Sequence, residues 1–92
     1  MSNDEEITTE ELNVIEQRCN AATPGPWVSY VEGRDHTSGE SFILRGLEGN
    51  LEEDLYLTGA TVADQDFIAN ARQDIPRLIR EVKRLKSLLN AK

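Results

Sequence analysis

The sequence predicts an α+β domain with the order helix, three-stranded antiparallel β-meander, kinked C-terminal helical segment. Three observations predict it. Apolar residues recur at helical spacing near both ends of the chain, aromatic and β-branched residues gather in short runs between those ends, and Gly- or Pro-containing turns separate the segments. With 92 residues we expect one domain over residues 8–92, preceded by flexible acidic residues 1–7.

Thr8 predicts the start of the first helix. The sequence Thr8-Thr-Glu-Glu11 matches a capping box, in which the Thr hydroxyl accepts from an early amide and the Glu carboxylate accepts from the cap amide. The helix must end before Pro24, because proline disfavours helical geometry at the residue before it. One face carries the apolar positions at steps of three and four, namely Leu12, Ile15, Cys19 and Ala22.

Three short segments predict the strands. Residues 27–31 and 41–45 are rich in aromatic and β-branched side chains, and residues 55–57 form a third, shorter run. Since parallel pairing needs a crossover of about a dozen residues, the short connections indicate an antiparallel meander.

The C-terminal third predicts helix in two pieces. Thr61 caps the first piece, with Asp64 at its third helical position. We expect a break or kink at residues 73–74, because Asp74 and Pro76 resemble a new N-cap and first turn. An amphipathic helix follows over residues 75–90, with a basic outer face and an apolar face formed by Ile75, Leu78, Val82, Leu85 and Leu89.

The apolar face of this last helix predicts an interface. Its residues follow at steps of three, four, three and four, which is two heptads of coiled-coil spacing. A small domain has a thin core and often completes it by association, so we expect a homo-oligomer, a dimer or higher. The alternative is that the helix packs entirely on its own domain.

Composition excludes several classes of function. The net charge of −7 opposes nucleic-acid binding, which draws most of its affinity from phosphate neutralisation. The apolar runs are too short for a membrane span, so we expect a cytoplasmic protein. One cysteine and one histidine leave no disulfide, no zinc site and no convergent acid, base and nucleophile, so we expect no enzyme activity, metal or cofactor.

Five basic residues are candidates for binding a small anion. Arg34 and His36 lie in a Gly-flanked loop whose amides could cradle an anion, and Arg72 and Arg77 flank the expected helix break. Across a subunit interface, Arg34 or Arg45 of one chain could face Arg72 and Arg77 of another, a geometry suited to a nucleotide. The alternative is that these arginines are solvated or pair with the acidic part of the chain.

Several motifs together resemble a known family. They are the turn Ala21-Ala-Thr-Pro-Gly-Pro-Trp27, Phe42-Ile43, the segment Ala63-Asp-Gln-Asp-Phe-Ile-Ala-Asn-Ala-Arg72, and Asp74-Ile-Pro ahead of a Leu-rich helix. Over residues 12–89 the chain is similar to the N-terminal region of the Ead-type early proteins of lambdoid phages. The resemblance implies phage or prophage ancestry and implies no particular activity.

These observations predict a non-catalytic phage or prophage accessory protein that homo-oligomerises through its C-terminal helix and binds a host protein. The alternative function is sequestration of a small anionic ligand, such as a signalling nucleotide, at a subunit interface. DNA binding through the basic helix ranks below both, because the chain is acidic overall.

Overall fold

A computed structural model describes residues 6–37, 39–46 and 54–90. Along the chain lie helix α1 (Thr9–Ala21), strands β1 (Trp27–Tyr30) and β2 (Phe42–Arg45), and helix α2 (Val62–Asn90). The N-terminal helix, the antiparallel strands and the long C-terminal helix confirm the predicted α+β class. Of the segment that was expected to be flexible, residues 1–7, residues 1–5 lie outside the described residues.

Both helices begin as their sequences predict. The Thr8 side chain accepts from the Glu11 amide, and the Glu11 carboxylate accepts from the Thr8 amide at 2.8 Å. Thr61 and Asp64 form the same reciprocal pair before α2, with both bonds at 3.0 Å. These contacts satisfy amides that have no partner within the helix.

The sheet differs from the prediction in its third strand. β1 and β2 pair antiparallel, with Trp27 opposite Arg45 and Tyr30 opposite Phe42. Residues 55–57 do not form a strand: Leu55 alone pairs with Ile43, through two backbone hydrogen bonds of 2.8 and 2.9 Å. The chain then turns at Gly59, whose φ of 81° suits glycine.

Helix α2 also differs from the prediction, because it is continuous. It runs through residues 73–74, where a break was expected, and contains Pro76. Asp74 therefore lies inside the helix and is not an N-cap. At 29 residues α2 is about 43 Å long and packs against both β1 and α1. Packing on two partners along its length explains why the helix persists past a residue that removes one backbone hydrogen bond.

The core lies where α2 covers the sheet and α1. Among the described residues the buried apolar side chains come from both helices, from β2 and from the residue that follows β1. They are Leu12, Val31, Ile43, Ala69 and Ile79. The turn that leads into β1 packs closely on α2: a Cβ on Gly25 would lie 3.2 Å from Gln73 Oε1. Glycine at this position lets the backbone approach the helix.

Candidate functional site

The most prominent surface of the molecule is an apolar stripe along α2. We call it the α2 seam. Its members follow at steps of three and four and therefore share one helix face, and they are Ile68, Ala71, Ile75, Leu78, Val82, Leu85 and Leu89. The five residues from Ile75 onward were predicted from the sequence. Ile68 and Ala71 extend the same spacing by one heptad toward the N-terminus of α2.

Much of the α2 seam is exposed to solvent. The exposed fraction is 61% for Leu78, 46% for Leu85 and 73% for Leu89, whereas Val82 is half-buried. Phe67, next to the first seam residue, is 74% exposed. The part of the chain that the structure describes therefore leaves a long apolar stripe uncovered, and surfaces of this kind often mark an interaction site.

The buried face of α2 explains why the seam points outward. Gln65 and Ala69 are buried against the sheet, and Ile79, which lies beside Ile75 and Val82 at the edge of the seam, is only 4% exposed. The Gln65 side-chain amide donates to the Ser29 hydroxyl at 2.9 Å and to the Phe42 carbonyl at 3.1 Å. These contacts fix the rotation of α2 about its own axis, so the seam faces away from the sheet.

A second glutamine holds the same face of α2 against β1. Gln73 Oε1 accepts from the Trp27 amide at 2.7 Å, and Gln73 Nε2 donates to the Trp27 carbonyl at 3.2 Å. The side chain thus pairs with the backbone of the first strand residue as a neighbouring strand would. Sequence reasoning overlooked both glutamines, because a polar residue is expected at the surface unless tertiary structure supplies partners.

Helix α1 lies along one flank of the α2 seam. Lys83 Nζ contacts Glu16 Oε1 at 2.7 Å and Asn13 Oδ1 at 3.3 Å, and Lys86 Nζ donates to the Ile7 carbonyl at 3.0 Å. The N-terminal end of α1 therefore lies near the C-terminal part of α2. These contacts use the basic side of α2 within the chain and leave the seam beside α1 open.

A cleft opens where the C-terminal end of α1 meets α2. Its volume is about 260 Å³. The walls are mainly apolar, with two arginines, and they consist of Ile15, Arg18, Cys19, Trp27, Ile68, Ala71, Arg72 and Ile75. Three seam residues, Ile68, Ala71 and Ile75, form one wall, so the cleft is continuous with the seam. Cys19 is half-buried here, as a small apolar residue would be.

The predicted anion-binding loop is paired within the chain. Arg34 makes a two-pronged contact with Asp66, at 2.8 and 3.1 Å, and a further one with Asp35 at 2.9 Å. A hydrogen bond from Arg34, followed by one from Ser29, lowers the pKa of Asp66 to about 2. Arg34 also lowers the pKa of Asp35, assisted by the Val31 amide, and its own pKa is raised by Asp66 and then Asp35. An anion at Arg34 would have to compete with two carboxylates.

The other predicted site residues lie in three separate places. The His36 ring lies 5.4 Å from the Phe42 ring and 6.5 Å from the Tyr30 ring, centroid to centroid. Arg45 and Arg72 converge on Thr23, at 3.0 Å to its hydroxyl and 2.8 Å to its carbonyl.

Arg77 lies on α2 beside Asp74 and Glu81, in a shallow surface groove. A single chain thus brings Arg45 and Arg72 together at the turn before β1. It holds Arg34 on Asp66, near the N-terminal end of α2.

The described residues contain neither a metal-binding cluster nor a membrane-spanning helix. Within residues 6–37, 39–46 and 54–90, no three His, Cys, Asp or Glu side chains are grouped so that they could hold a metal ion. No helix in that part of the chain is long and apolar enough to cross a bilayer.

We compared the chain with known proteins and found no match. No protein-family model, curated protein or solved structure matches the chain.

Proposed function

We propose that this chain is a non-catalytic protein that homo-oligomerises through the α2 seam. The observation that carries the proposal is the exposure of leucines spaced by heptad steps on one helix face. Each apolar square ångström removed from water contributes about 25 cal/mol, so a stripe of this length favours a second apolar surface. Heptad spacing makes another α-helix the best complement to it.

The partners and setting of the assembly are part of the same proposal. We propose a phage or prophage accessory protein acting in the host cytoplasm, on the basis of the resemblance of residues 12–89 to Ead-type early proteins. Binding of a host protein is proposed through the acidic body of the domain. Its support is the charge distribution: residues 1–71 hold most of the acids, and the basic residues concentrate after them.

Sequestration of a small anion has weaker support than assembly. It requires the predicted arginines to be available across a subunit interface, yet Arg34 already contacts two carboxylates. Arg72 already donates to the Thr23 carbonyl through its Nε. The contacts of both residues therefore favour a structural role for them within the chain.

A lysine placed in the seam tests the proposed assembly. We expect Leu85→Lys to weaken self-association at least about tenfold, because a charge buried in an apolar interface costs more than the ~1.4 kcal/mol that a tenfold change represents. Sedimentation velocity measures the shift toward the monomer, and circular dichroism checks that the helix content is retained.

Ser87→Lys is the matched control for this variant. Ser87 is exposed and lies on nearly the opposite side of α2 from Leu85, so the same added charge should leave association unchanged. Equal behaviour of the two variants would contradict an interface at the seam.

A further inference from the structure

We propose that two copies of the chain pair through the α2 seam as a parallel, in-register two-stranded coil. This inference rests on the proposed function and specifies its partner and geometry. Three independent features of α2 support it: the residue types in the seam, the charges that flank it, and the cleft at its N-terminal end.

The residue types at the core positions of the seam are those typical of parallel two-stranded coiled coils. In a heptad labelled from Ile68 as position a, three of the four a positions are β-branched, namely Ile68, Ile75 and Val82, and the fourth is Leu89. The d positions are Ala71, Leu78 and Leu85. In parallel two-stranded coils, β-branched residues at a and leucine at d fill the core best. The seam thus favours two strands over higher states.

The flanking charges distinguish parallel from antiparallel pairing. The g positions carry Phe67, Asp74, Glu81 and Leu88, and the e positions carry Arg72, Ile79 and Lys86. Within one copy Glu81 pairs with Arg84 at 2.6 Å and Lys86 donates to the Ile7 carbonyl, and both side chains remain at the surface or its edge, beside the seam. Parallel helices bring each g residue beside the e residue five positions later in the other copy, so Glu81 of one copy meets Lys86 of the second.

Antiparallel helices would place e against e and g against g. Arg72 and Lys86 would then lie on one flank, with Ile79 between them, and Asp74 and Glu81 on the other. Such like-charge contacts oppose that orientation.

In a parallel pair, Phe67 of one copy lies beside the cleft of the second copy. Phe67 stands at g and is 74% exposed, and its parallel counterpart at e is Arg72 of the second copy, which lines the cleft. The cleft volume of about 260 Å³ exceeds the ~150 Å³ cavity that accommodates a benzene ring. A guanidinium beside an aromatic face adds a cation–π contact. Parallel pairing thus covers the exposed ring.

Cysteines at two seam positions test the orientation. In a Cys19→Ser background, Leu78→Cys and Leu85→Cys each place a thiol at a d position. In a parallel in-register pair every d residue faces its own copy, within the Cα separation of about 4.4–6.8 Å that a disulfide requires. We therefore expect both variants, each oxidised alone, to form covalent dimers.

Antiparallel pairing gives a different pattern. The two positions are about 10 Å apart along the helix, so a twofold axis perpendicular to α2 can bring at most one of them near its own copy. Crosslinking of one variant only, or of neither, in a protein that remains dimeric by mass would overturn the orientation and leave the assembly standing. A Cys19→Ser protein that is monomeric would overturn the proposed function and this inference together.

A spin label outside the seam provides a second readout. Attached to Asn90→Cys in the same background, it leaves both d positions intact. Full antiparallel overlap would separate the two labels by about 35 Å along the axis, whereas parallel pairing leaves no axial offset. A label separation below about 25 Å supports the parallel coil, given helices about 10 Å apart, and a longer one contradicts it.

Discussion

Replacing Ile43 with alanine is expected to lower the free energy of unfolding by about 2–5 kcal/mol, the range for removing a large aliphatic side chain from a core. Ile43 is 0% exposed and is the largest fully buried side chain among the described residues. It lies opposite Ser29 of β1 on one side and Leu55 on the other. Two backbone hydrogen bonds join Ile43 to Leu55. The truncation therefore leaves a cavity where the sheet and the following loop meet.

Urea denaturation followed by circular dichroism measures this loss. The loss is a large fraction of what a small domain possesses, since 0.05–0.15 kcal/mol per residue is typical, or about 5–14 kcal/mol here. Val28→Ala is the control in the neighbouring strand, because Val28 is exposed and its truncation leaves no cavity. A loss below about 1 kcal/mol for Ile43→Ala would show that the core is not centred on this residue.

Gln65→Leu is expected to destabilise the fold by about 1–3 kcal/mol, although leucine is similar in size and more apolar. The Gln65 amide is within hydrogen-bond distance of three acceptors: the Ser29 hydroxyl at 2.9 Å, the Phe42 carbonyl at 3.1 Å and the Tyr30 carbonyl at 3.2 Å. Leucine has no donor, so the part-buried acceptors lose a hydrogen bond. The free-energy cost of these unpaired acceptors exceeds the stabilisation from the added apolar burial.

The same urea titration measures this second effect. Gln17→Leu on the exposed side of α1 is the matched control and should change stability by less than about 0.5 kcal/mol. A Gln65→Leu protein as stable as the parent would show that these contacts do not hold α2 on the sheet.

Local chemistry explains which parts of the fold could be predicted from the sequence. Thr8 with Glu11 and Thr61 with Asp64 satisfy helix amides within a single turn, so short motifs are enough to locate both helix starts. The two strands are flanked by turns with a steric cause, such as the proline-containing turn before Trp27. These features depend on neighbours in sequence, and the structure has them within one residue of the predicted bounds, with each strand one residue shorter than expected.

Tertiary contacts explain where the prediction was wrong. Pro76 suggested a helix break, but contacts with β1 and α1 hold α2 together on both sides of it. The run at 55–57 suggested a third strand, but only Leu55 pairs with β2. The contacts that hold α2 together join residues far apart in sequence, so they cannot be read from a local pattern.

The candidate sites show the same division. The heptad spacing of Ile75 to Leu89 is a local pattern, and the structure places these residues on one largely exposed face. The pairing of Arg34 with Asp66 joins residues 32 positions apart, so the sequence presented Arg34 as an available cation. The burial of Gln65 likewise depends on carbonyls that only the folded sheet brings together.

The native mass of the full chain tests the account most directly. Sedimentation equilibrium at micromolar concentration should give twice the 10.3 kDa chain mass, because the exposed leucines of α2 find their complement in a second copy. A particle of 10.3 kDa throughout the same concentration range would contradict the account, since the α2 seam would then remain in water without a partner.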